Sequence, residues 1–249
     1  MRLAIAVVLA AGCNQVLDLK RTHELPEPDG PPPLCPEGTK PQQQSIPAFA
    51  DATIIADDNP QNHGDTAEVF IKDSGPAQYG LWKFTVDTAL DTAVEARLVL
   101  PYIVRELDCG TSGGTVCVSC DSDDIGGDIT VYPLTSDWGE LDNNWDCRHG
   151  APNCTASSTT GVHWDAPGAG GSDRGPALMT VEHVSASDTE VPLQMALPAM
   201  RPWVQAGTLS IVAVGSRGAR AWIPARTTEQ RHLDCRPPSL ALLVVTYCS

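Results

Sequence analysis

Short stretches of alternating apolar and polar residues, separated by glycine and proline, fill the chain beyond residue 45 and predict β-strands. In Leu81-Trp82-Lys83-Phe84-Thr85-Val86, one face carries Trp82, Phe84 and Val86. From Glu190 to Leu197 the alternation places Val191, Leu193, Met195 and Leu197 on one side. Period two of this kind marks a strand with one buried face. Leu98–Val104, Leu209–Val214 and Leu240–Tyr247 are apolar on both faces, which predicts central strands. Gly110–Gly114, Gly126-Gly127 and Gly168–Gly171 supply breaks, and one short helical piece is expected around Pro198–Gln205, with Trp203 packing on a sheet. The pattern predicts an all-β chain, a jelly-roll β-sandwich with one short helix and a disulfide-braced insertion.

The N-terminal stretch does not follow this pattern. Arg2 precedes nine residues from Leu3 to Ala11 that are apolar throughout, followed by Gly12-Cys13. This run falls well short of the about 20 residues that span a bilayer, and it reads as the core of a secretory signal. Leu9-Ala10-Ala11-Gly12-Cys13 resembles the lipobox of bacterial lipoproteins, with the leucine one place further back than usual. The resemblance implies a signal peptide over residues 1–12, lipidation (palmitate among the acyl chains) of Cys13, and a membrane anchor in the bacterial cell envelope, at the outer membrane or cell surface. Residues 14–45 carry Pro26, Pro28 and Pro31-Pro32-Pro33 among polar and acidic residues. Such a composition buries little apolar surface and stays extended, so residues 13–45 are expected to be a tether and 46–249 the sandwich domain.

The formal net charge of −15 excludes a large basic footprint and with it nucleic acid as a partner. Of nine cysteines, Cys13 is the odd one. The other eight (Cys35, Cys109, Cys117, Cys120, Cys147, Cys154, Cys235 and Cys248) form the even set expected to pair in an oxidising compartment. Cys147 and Cys154 flank a short polar loop they can close, and Cys109, Cys117 and Cys120 share one Gly/Ser/Asp-rich insertion, while connectivity is otherwise open. Cys117-Val-Ser-Cys120 has zinc-ligand spacing, with Cys147-Arg-His149 downstream, but a second matched pair is missing and the export signal argues for disulfides.

Trp138, Trp145 and Trp164 are candidates for a sugar-stacking platform, weighed against burial, the usual fate of tryptophan. Asp57-Asp58-Asn59 with Asp65, and Asp121 with Asp123 and Asp124, are acidic loops of the type that hold structural Ca²⁺, and Asp51 and Asp65 are the expected contributors. An EF-hand is excluded, since the second loop has Ile125 at its fifth position and Tyr132 at its twelfth. No G-x-S-x-G, H-E-x-x-H or Walker loop occurs, and His163-Trp164-Asp165 reads as strand and loop, so the expectation is a non-enzyme. Arg217, Arg220, Arg226 and Arg231 form one basic stretch able to meet an anionic polymer.

From residue 50 to residue 247 the chain resembles the DNRLRE-type domains grouped with family 96 carbohydrate-binding modules. The likeness rests on Ala50-Asp51-Ala52-Thr53, on Asn62-His63-Gly64 before Glu68–Lys72, on Leu81-Trp82-Lys83-Phe84 and on Val94–Leu100. It continues through Ile129–Leu134, Trp138-Gly139-Glu140, Asn144-Trp145, Gly161-Val162-His163-Trp164 with Pro167-Gly168, Pro202-Trp203-Val204 with Gly207, and Pro238–Tyr247. The name-giving string is absent, and residues 105–127 form a cysteine-rich insertion. The resemblance implies a jelly-roll sandwich and, as in some relatives, polysaccharide or matrix binding. The alternative is a structural or adhesive surface lipoprotein with no small ligand.

Overall fold

The computed structural model describes residues 35–57, 61–66, 68–86, 93–101, 127–182, 190–195, 200–224 and 240–249. Cys13, Cys109, Cys117, Cys120 and Cys235 lie outside these, as do the insertion and Asp121, Asp123 and Asp124. The described strands are β1 (Pro41–Ile55), β2 (Glu68–Lys72), β3 (Gln78–Thr85), β4 (Ala93–Pro101), β5 (Asp128–Pro133), β6 (Cys147–His149), β7 (Val162–His163), β8 (Met179–Val181), β9 (Glu190–Met195), β10 (Val204–Gln205), β11 (Thr208–Ser216), β12 (Arg220–Pro224) and β13 (Leu242–Cys248). All pairings are antiparallel. The chain is an all-β sandwich, as its patterning predicts. Of the short helix expected around Pro198–Gln205, residues 198 and 199 lie outside the described residues; Met200 is helical, and Arg201–Trp203 form a 3-10 turn that runs straight into β10.

One layer follows the order β9–β4–β13–β1, and the other β1–β3–β11–β5–β8, so β1 belongs to both. Its first half, Pro41 to Pro47, pairs with β13, and its second half, Ala48 to Ile55, with β3. The register steps from Ala48↔Phe84 to Ala50↔Lys83, so two residues on β1 oppose one on β3 and Phe49 is the extra residue of a β-bulge. Strands that change sheets do so at such bends. The folded part also reaches beyond the expected tether boundary: β1 starts at Pro41, and buried Cys35 is bonded to Cys248. The proline-rich composition did not reveal this, because Gln42, Gln43 and Gln44 are held by main-chain pairing with β13 rather than by burial of their side chains.

Between the layers, Ile46, Leu98, Leu100, Leu243 and Val245 meet Trp82, Phe84, Ile129, Val131 and Ile211. Trp82, Phe84 and Val86 occupy this core, on the face the alternation predicts. A second core lies on the other side of the β3–β11 layer. There the segment 134–175 folds over Ala50, Ala52, Ile54, Leu81 and Val212. Leu209–Val214 is apolar on both faces for this reason: Leu209, Ile211 and Ala213 point between the layers, and Val212 and Val214 point under the cap.

The Cys35–Cys248 bridge closes 213 residues of sequence and ties the entry of β1 to the last strand. Replacing both cysteines with serine is expected to cost about 2–5 kcal/mol. Equilibrium denaturation of the oxidised full chain measures this, and an unchanged midpoint would contradict the tie.

Candidate ligand-binding groove

The cap is assembled by local hydrogen bonds. Asn144, buried, accepts from the amides of Asp146 and Cys147 at 3.0 and 2.8 Å and donates to Cys154 O at 2.8 Å. The Cys147–Cys154 disulfide closes the same loop, the closure its polar spacing suggested. Trp164 Nε1 donates to Asn144 O at 3.0 Å. Arg174 lies over Tyr132 at 4.7 Å and Tyr79 at 5.6 Å and donates to the carbonyls of Gly168 and Ala169; burial lowers its pKa from the ordinary guanidinium value. Asn62 Nδ2 binds the carbonyls of Glu140 and Asn143 at 2.8 and 2.9 Å, while the Gly64 amide donates to Asn62 Oδ1. A Cβ at Gly64 would stand 1.8 Å from Glu140 O, so the Asn62-His63-Gly64 turn docks on the cap only without a side chain there.

This architecture decides where the candidate tryptophans go. Trp138 and Trp164 are 1% and 4% exposed in the second core and present no face to a ligand. Trp145 is half-buried, tilted against Tyr79 at 5.0 Å, with Gly168 against its ring. The aromatic platform expected of the three together is therefore not formed. The acidic candidates separate as well. Asp51 is 2% exposed and opposite Trp82 on the inner face, with its amide held by Glu140 Oε1, whereas Asp65 is exposed in a loop. Among the described residues, the group of three His, Cys, Asp or Glu ligand atoms lying within 4.8 Å of one another is Cys147, Cys154 and His163, and its sulfurs are joined as the disulfide. Neither Asp51 nor Asp65 belongs to it. His163 stands beside that disulfide, with its Nε2 3.0 Å from Ser158 O, and Asp165 accepts from the Ser172 amide.

The cap leaves one end of the sheet face open. Along β3 the outward residues run Leu81, Lys83, Thr85, and along β11 they run Val212, Ser210, Thr208, so the face turns from apolar to polar where the cover stops. A groove of about 420 Å³ opens there. It falls within the about 300–1,000 Å³ range of small-ligand sites. Phe49, pushed out by the bulge and 42% exposed, lines it with Trp203. Its floor is Lys83, whose Nζ contacts Asp137 Oδ1 at 2.5 Å, donates to Trp138 O, and sits 4.7 Å over the Trp138 ring. Ser210, Thr208 and Gln205 add polar groups, with Gln205 Nε2 donating to Thr135 O at 2.7 Å. Asp137 feels some desolvation, which raises its pKa, but the hydrogen bond and charge of Lys83 outweigh it and hold the carboxyl below its ordinary value.

Sequence reasoning missed Phe49, Lys83, Asp137 and Trp203 as site residues. The usable signal was Lys83 in an otherwise apolar strand, since a lysine in a buried strand needs a partner. Compared with known proteins, the chain matches no family model and no curated protein sequence.

Truncating Trp138 to alanine is expected to cost about 3–5 kcal/mol by emptying the second core, read by chemical denaturation. Asp137→Asn is expected to cost under about 1 kcal/mol at neutral pH, since Asp137 is mostly exposed. The folded-state pKa of Asp137 is lowered, so its contribution is present above the unfolded carboxyl value and is lost as pH falls through the folded one. A stability gap between wild type and Asp137→Asn that persisted below that range would contradict the pairing.

Proposed function

We propose that the protein is a non-catalytic, envelope-anchored lipoprotein whose sandwich binds polysaccharide along the groove between Phe49 and Trp203. The observation that carries this reading is a groove of about 420 Å³ at the polar end of the sheet face, with the exposed ring of Phe49 at its edge. A pyranose ring has apolar faces that pack on an aromatic side chain and a rim of hydroxyls that need hydrogen-bond partners. Phe49 and Trp203 supply the first, and Ser210, Thr208 and Gln205 the second.

Two further features support binding over hydrolysis. Glycosidases flank the scissile bond with two carboxyl groups about 5–9.5 Å apart. Among the described residues lining the groove, Asp137 is the single carboxylate, and its neighbour is a lysine. The groove also sits on paired strands, a rigid support suited to a fixed binding geometry. The anchor rests on the likeness of Leu9–Cys13 to a lipobox. Lipid chains contribute about 0.8 kcal/mol per buried CH₂, so several on one cysteine hold a protein on a membrane.

The test is a glycan array probed with the purified, oxidised full chain, followed by titration of any hit. Saturable binding is expected, weakened about tenfold or more by Phe49→Ala with an unchanged melting temperature. Absence of binding across the array from folded protein would favour the structural lipoprotein instead. Separately, Cys13→Ser is expected to move the expressed protein from the detergent phase to the aqueous phase on Triton X-114 partition, and an unchanged distribution would remove the anchor.

A further inference from the structure

We propose that the groove selects neutral glycan chains and rejects uronate polymers, because its accessible charge is the Asp137 carboxylate while its cation is spent within the protein. The inference rests on the polysaccharide reading above and adds the chemical class of the ligand.

The two charges in the groove are unequal in reach. The Lys83 side chain is 10% exposed and that of Asp137 78%. The ammonium is directed at Asp137 Oδ1 and Trp138 O and lies over the Trp138 ring. An incoming anion would have to displace these contacts, which are made in a partly buried setting where charge-assisted bonds are strong. Asp137 takes Lys83 on Oδ1 and a backbone hydrogen bond from Trp138, and its side chain, 78% exposed, still faces solvent as an acceptor. Gln205 commits one Nε2–H to Thr135 O, which leaves its carbonyl oxygen and its second N–H. The hydroxyls of Thr208 and Ser210 complete the wall. This set is rich in acceptors, and a neutral sugar is rich in O–H donors. A uronate replaces a donor with a second anion facing Asp137.

Two described arginines outside the groove also have partners within the protein. Arg217 is paired with Asp128 at 3.2 Å, and Arg174 is held between two tyrosines and two carbonyls. Of the basic stretch noted in the sequence, Arg220 is exposed at the start of β12, and Arg226 and Arg231 lie outside the described residues. A bridging cation would need further oxygen ligands beside Asp137, and no His, Cys, Asp or Glu cluster is described there.

The test is calorimetric titration of the oxidised full chain with soluble neutral probes (galactomannan, mixed-linkage β-glucan, xyloglucan) and with alginate and polygalacturonate, each with and without Ca²⁺. Binding to at least one neutral probe is expected, with none to either uronate. Asp137→Asn is expected to weaken neutral binding about tenfold, and Thr208→Val, which leaves the Lys83–Asp137 pair intact, about threefold or more. Circular dichroism checks that each variant is folded. Uronate binding, or neutral binding that neither substitution alters, overturns the selectivity while leaving a polysaccharide module standing. Silence across all probes overturns both readings together.

Discussion

The architecture depends on one strand serving two sheets. β1 pairs with β13 over its first half and with β3 over its second, and a single extra residue at Phe49 makes the change possible. Side chains alternate with period two, so an inserted residue exchanges the faces of everything after it. Before the bulge, Ile46 and Ala48 point into the core between the layers. After it, Ala50, Ala52 and Ile54 point outward under the cap, and Asp51 and Thr53 turn inward beside Trp82 and Phe70. The same event expels Phe49, which has no place in either core and becomes the wall of the groove.

The face exchange creates the demand that the cap meets. With Ala50, Ala52, Ile54, Leu81 and Val212 directed outward, the β3–β11 layer would otherwise expose a continuous apolar surface. Trp138 and Trp164, two of the largest residues available, cover it, while Arg174 and Asn144 hold the surrounding loops in place. Asp173, buried, accepts from Ser136 and from the Asp165 amide, joining the first and last parts of the cap. Covering stops where β3 and β11 change to Lys83, Ser210 and Thr208. The boundary between structure and site is thus written in the outward residues of two neighbouring strands.

The sequence made the strands legible because one-sided burial imposes period two, and β3 kept the face read from Trp82, Phe84 and Val86. The doubly apolar run Leu209–Val214 announced a strand buried on both sides, but not that a loop segment supplies the second cover for β11. The bulge left no trace. Ile46, Ala48, Ala50, Ala52 and Ile54 keep one unbroken parity, so residues that read as one face lie on two. The tryptophans were misleading for a related reason. Their chemistry suits a sugar platform and a loop core equally, and only the apolar sheet beneath Trp138 and Trp164 decides between them. Cys35 was assigned to the tether because local composition carries no information about a partner 213 residues away.

Lys83 joins these threads. It occupies an outward position on β3 between Leu81, which is covered, and Thr85, which is exposed, and its ammonium is held at the edge of the cap by Asp137, Trp138 O and the Trp138 ring. The pair adds little to stability, since Asp137 is mostly exposed, but it gives the ammonium of Lys83 a counter-charge. It also sets the surface chemistry, because satisfying the lysine from above places a carboxylate at the mouth of the groove. The acidic character of the chain, −15 overall, extends this sign beyond the groove. Under the proposed reading, approach of a polyanion is then opposed at a distance as well as in contact, whereas a neutral chain meets hydroxyls, an amide, an aromatic edge and a carboxylate that accepts from it. The pairing at this end of the sheet thus bears, under the proposed reading, on what that end can hold.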